Sequence, residues 1–85
     1  MDNSKLREKI AFIDEKIVAL IFERLQTAVE IGRNKKIAGT PVHDPEVERT
    51  VIARYRRFAE DEDIDPDTAE ELAKLIISWA CSVQE

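Results

Sequence analysis

Apolar residues recur at Leu6, Ile10, Ile13, Ile17 and Leu20, at intervals of four, three, four and three that hold one stripe of a helix against another helix. No proline interrupts the stretch from Ser4 to Ile37, and its first glycine is Gly32. The spacing therefore predicts one unbroken helix over about residues 4–37, with Asp2, Asn3 or Ser4 available as its cap. At 1.5 Å per residue such a helix is roughly 50 Å long. That is too long for the core of a single globule of 85 residues, so a second chain is the natural cover for its seam.

Beyond it, Gly39 suits a helix C-terminus, and Asp44-Pro45 suits the cap and first position of a second helix running to about Asp61. The apolar face of that helix reads through Val47, Val51, Ile52, Tyr55, Phe58 and Ala59. The acidic run Glu60 to Asp65 is expected to be a solvated loop, and Asp65-Pro66 repeats the cap-then-proline signal. Leu72, Leu75, Ile76, Trp79 and Val83, spaced by threes and fours, predict the core face of a third helix. No internal repeat and no strand-like alternation are present. The expected fold is all-α, a three-helix chain with a long N-terminal helix, with residues 1–85 forming one domain.

Composition narrows the function. Hydrophobic residues make up 44% and charged residues 36% of the chain, as in a globular protein. The net charge is −5, with cations scattered among acids, so a nucleic-acid footprint is missing. An anionic ligand would have to be held by a few locally placed cations in an enclosed site. The single Cys81 excludes an intramolecular disulfide and reads as a small core residue in a reducing compartment. With no signal-like stretch and no run long enough to cross a bilayer, a cytoplasmic protein without a membrane partner is expected.

Continuing the first seam past Leu20 lands on Arg24, then Thr27 or Ala28, then Ile31, then Lys35. Two cations thus stand in apolar register, where a charge is costly unless a carboxylate or an anionic ligand pairs with it. Eleven residues separate them, about three turns and roughly 16 Å on nearly one face, so the two long side chains can grip one small molecule. The plain alternative is that they snorkel to the rim or pair with Glu23 or Glu48. Against it, Glu48 shares a face with Ile52, Tyr55 and Ala59, and Gln84 shares one with Ala73, Ile77 and Ala80. Each helix therefore turns a polar group toward its apolar side, the pattern of a built pocket. Arg7, about 25 Å along the axis from Arg24, is too far to share a small ligand within one straight helix but can approach Arg24 of an antiparallel partner; the plain alternative is an exposed charge beside Glu8.

Other chemistries are poorly supplied. His43 stands alone in its loop without a nearby His or Cys, so no metal site is expected. Ser4, Ser78 and Ser82 lack a His-based triad, and Gly32 and Gly39 fit no nucleotide fingerprint.

The stretches Leu6-Arg7-Glu8-Lys9-Ile10, Asp14-Glu15-Lys16-Ile17, Glu23-Arg24, Ala28-Val29-Glu30-Ile31-Gly32 with Lys35, and Pro41-Val42-His43-Asp44-Pro45-Glu46 with Glu48-Arg49 resemble the all-helical, type II class of chorismate mutases. The likeness covers essentially the whole chain, although the last helix is matched mainly by Gln84. It implies an intertwined homodimeric helical bundle with two shared active sites and no cofactor. It also implies that Arg7 of one chain and Arg24 of the other hold the carboxylates of chorismate, and that Lys35 reaches a carboxylate and the ether oxygen. Glu48 would hold the ring hydroxyl with Asp44 near it, and Gln84 would donate to the ether oxygen.

The chain departs from that pattern at Val47 and Ala80, where the family often carries Arg and Ser, and in placing Gln84 next to the last residue. The segment Ile76-Ile77-Ser78-Trp79 also resembles isochorismate-pyruvate lyases of the same fold, whereas Glu48 is more like the mutases. A lyase or an amino-chorismate mutase is the second expectation. A non-catalytic dimeric module is the third, and it leaves Arg24, Lys35 and Gln84 without a reason.

Overall fold

The computed structural model describes residues 2–85 as three helices: α1 (Ser4–Ala38), α2 (Pro45–Asp61) and α3 (Pro66–Gln84). No strand occurs among the described residues, and none of these helices is long and apolar enough to cross a membrane.

The capping chemistry explains the boundaries. Asn3 occupies the cap position of α1 without a side-chain bond, and the Asp2 carboxylate does the holding, accepting from the Ser4 N–H at 3.0 Å and its hydroxyl at 2.6 Å. At the other end Gly39 adopts φ 73°, a left-handed turn that glycine enters without strain, and its N–H donates to the Lys36 carbonyl. Asp44 caps α2 by accepting from the Glu46 and Val47 N–H groups, and Asp65 caps α3 by accepting from Asp67 N–H and the Thr68 hydroxyl. These bonds hold the Asp65 carboxyl below its ordinary value. The Arg56 guanidinium on α2 donates to Asp67 at 2.9 Å and Glu70 at 3.2 Å, fastening α2 to the first turns of α3.

Helix α3 packs against both α1 and α2, which do not approach each other, so α3 floors a gap between them. The buried contacts are made by small residues: Ala28, Val51, Ala59, Ala73, Ala80 and Cys81. Here the expected core face of α3 needs correction. Leu72, Leu75 and Trp79 are at least half exposed, and the helix instead turns Ala73, Ala80 and Cys81 inward. Small side chains let helix axes come close, and the large apolar stripe is left on the outside. On α2, Val51 and Ala59 are buried as expected, whereas Val47 and Phe58 are exposed.

The first half of α1 projects from the rest of the chain. Every residue from Asp2 to Leu20 is exposed, including Leu6, Ile10, Ile13, Ile17 and Leu20 of the seam. The chain exposes 7064 Å², against about 5,200 Å² for a folded monomer of 9.8 kDa. That excess, roughly 1,900 Å², is of the size one protomer loses in a large, apolar interface between permanent partners.

Candidate active site

The gap between α1 and α2 contains a cavity of about 290 Å³. Helix α1 contributes Arg24, Thr27, Ala28, Ile31 and Lys35, which is the continuation of the apolar seam residue for residue. Helix α2 and its cap contribute Asp44, Val47, Glu48 and Val51, and α3 contributes Ile77, Ala80, Cys81 and Gln84. Of the six site residues read from the sequence, the chain thus brings Arg24, Lys35, Asp44, Glu48 and Gln84 to one cavity. Arg7 is exposed, on the projecting half of α1, and lines no part of it.

The two cations stand as the apolar register requires. Arg24 and Lys35 are both half-buried, and among the described residues no carboxylate forms an ion pair with either. Pairing with Glu23 or Glu48 therefore does not neutralise them. The Lys35 ammonium donates to the Val42 carbonyl at 2.7 Å, which anchors it through the α1–α2 loop and leaves two of its three N–H groups for a ligand. Partly desolvated cations without a protein counter-charge favour an anion between them.

The half-buried Glu48 lines the same cavity from α2. Asp44 is nearby, its carboxylate engaged in capping α2, so it orients that helix as well as lining the cavity. Gln84 donates through Nε2 to the Ala80 carbonyl at 3.1 Å, keeping one amide N–H free, while its buried Oε1 has no partner. A buried acceptor left unpaired costs about 1–3 kcal/mol, which a ligand donor or a turn of the amide relieves. Val42, Val51 and Ile77 add apolar walls beside the charged groups.

Two features escaped the sequence reading. His43 is not alone: one ring nitrogen, a Glu48 carboxylate oxygen and the Cys81 sulfur all lie within 4.8 Å of one another. Burial pushes the Cys81 thiol up, the Glu48 carboxylate adds to the effect, and Lys35 opposes it. No local pattern announces this group, because its members come from a loop and two helices. The other feature is Gly32, buried where α1 meets the end of α3. A Cβ there would lie 2.8 Å from Gln84 Cγ, 2.9 Å from its Cβ and 3.1 Å from its Cα.

Gly32→Ala is accordingly expected to lower the melting temperature. Alanine favours the helix by about 1 kcal/mol, but overpacking costs about 1–3 kcal/mol, and the Gln84 Cα cannot swing aside as a side-chain tip can. A melting temperature equal to or above that of the native chain would mean that α1 and α3 are not in such close contact.

Two cations, two carboxylates and an amide thus line one cavity, and comparison with known proteins identifies the family. The sequence model for chorismate mutase type II matches residues 6–85. The chain is 36% identical over 80 residues to the bifunctional chorismate mutase/prephenate dehydratase of Escherichia coli, covering 94% of this chain and 21% of that protein. It is 29% identical over 82 residues to the chorismate mutase of Methanocaldococcus jannaschii, covering 96% of this chain and 83% of the relative. The bifunctional protein of Aquifex aeolicus is 41% identical over 54 residues. The chain therefore spans about a fifth of the length of the Escherichia coli relative and most of the archaeal one. With five of its six expected site residues around one cavity and a match from Leu6 to the last residue, the chain belongs to the chorismate mutase type II family.

Proposed function

We propose that the chain rearranges chorismate to prephenate, acting as a homodimer whose two sites each draw on both protomers. The observation that carries this reading is the pair Arg24 and Lys35, half-buried on a cavity wall without a protein carboxylate to neutralise them. The rearrangement is unimolecular: one ether C–O bond breaks as one C–C bond forms, and no atom is gained or lost. It needs neither nucleophile nor redox partner, so an enzyme can act by holding the folded conformer of the dianion and stabilising the charge that develops.

In this reading Arg24, with Arg7 of the second chain, holds the two carboxylates. Lys35 reaches a carboxylate and the ether oxygen, Gln84 donates its free N–H to that oxygen, and Glu48 takes the ring hydroxyl with Asp44 beside it. Negative charge grows on the ether oxygen only as the bond breaks, so the Lys35 and Gln84 donors bind the transition state more tightly than the substrate. The exposed α1 seam supports the second chain, since burying a Leu or Ile contributes about 1.5–3 kcal/mol each and five of them stand bare. Residues 1–85 act as one domain, in the cytoplasm, where Cys81 stays reduced, and neither nucleic acid nor membrane is a partner.

The purified chain is expected to convert chorismate to prephenate without added metal or nucleotide. Pyruvate and salicylate formed from isochorismate, with chorismate left intact, would replace this activity by the lyase.

A further inference from the structure

We infer that His43, Glu48 and Cys81 form a binding site for a soft divalent cation of the zinc class. Each comes from a different element: the α1–α2 loop, α2 and α3. Imidazole, carboxylate and thiolate are a donor set that zinc accepts, whereas magnesium and calcium prefer oxygen alone.

The distances are close to what such a shell needs. Zinc bonds of roughly 2.0–2.3 Å place tetrahedral ligand atoms about 3.3–3.8 Å apart, and here they lie within 4.8 Å of one another. The gap of about an ångström closes by rotating His43 and Glu48, and His43 is free to turn because its side chain is 63% exposed. A fourth position is within reach of Glu85, whose Oε1 lies 3.8 Å from His43 Nε2. Lys35 is the opposing cation, and the Glu48 carboxylate and Cys81 thiolate together outweigh its single charge. On binding, the Cys81 S–H bond breaks as the S–metal bond forms, and the proton passes to solvent.

Glu48 and Cys81 also line the cavity proposed for the substrate. If Glu48 holds the substrate hydroxyl, metal and substrate exclude one another; this consequence rests on the mutase reading, but the binding site does not.

Cobalt(II) tests the binding directly. One equivalent added to the full chain is expected to produce thiolate-to-cobalt charge-transfer absorption that Zn²⁺ then displaces. Cys81→Ser should abolish the band, and His43→Ala, an exposed loop substitution that leaves folding and metal-free turnover intact, should weaken affinity at least about tenfold. No band in the native chain, or binding untouched by either substitution, overturns the site. Zn²⁺ is further expected to raise the apparent KM for chorismate in the native chain, and to need at least about tenfold more metal to do so in His43→Ala. A KM unmoved by bound metal overturns the competition and leaves the spectroscopic result standing.

Discussion

Lys35→Ala is expected to lower kcat by about 10²–10³-fold, the usual consequence of removing a single donor to a developing oxyanion. The side chain lines the cavity, and its hydrogen bond to the Val42 carbonyl fixes where the ammonium sits before substrate arrives. A donor held in place in advance needs no reorganisation as the ether bond breaks. Its loss should therefore fall on kcat as well as on KM, because the proposed ether contact would strengthen only in the transition state. The substitution should leave helix content and dimerisation intact, since the half-buried Lys35 supports no other element than the loop at Val42. Turnover unchanged in a folded variant would remove Lys35 from the chemistry, and a change in KM alone would reduce it to a carboxylate clamp.

What could be read from the chain alone divides along local and non-local lines. The joints were legible because Asp-Pro pairs and Gly39 encode them within a few residues, and the bounds of α2 follow them. The cation register was legible too, since Arg24, Ala28, Ile31 and Lys35 lie on one periodic stripe and all four reach the cavity. The packing face of α3 departs from its periodicity for a physical reason. Periodicity ranks residues by hydrophobicity, which favours Leu72, Leu75 and Trp79, while the buried face of α3 carries the small residues Ala73, Ala80 and Cys81. The two stripes need not compete, because the larger one remains available to a second chain. The His43, Glu48 and Cys81 cluster was invisible for a different reason: it exists only once a loop, α2 and α3 have come together.

Neither Arg7→Ala nor Arg24→Ala is expected to retain substantial activity by itself, yet a mixture of the two should recover it. Arg24 lines the cavity of its own protomer, whereas Arg7 lies about 25 Å further along the same straight helix. No side chain spans that gap, so a role for Arg7 in the site requires it to arrive from an antiparallel neighbour. The bare seam of Leu6, Ile10, Ile13, Ile17 and Leu20 runs along this same half of α1. It is therefore the segment that a partner's covering helix would bring up to the other cavity. In a two-fold dimer each site would use Arg24 of one chain and Arg7 of the other. A mixed dimer then holds one site with both arginines and one with neither. Random exchange of equal amounts makes half the dimers mixed, so about a quarter of all sites should be whole. Recovery near that level, measured after exchange has been confirmed by tagged chains, is the expected result. Complete exchange without recovered turnover would mean that Arg7 serves no shared site and that each cavity works with the residues of one chain.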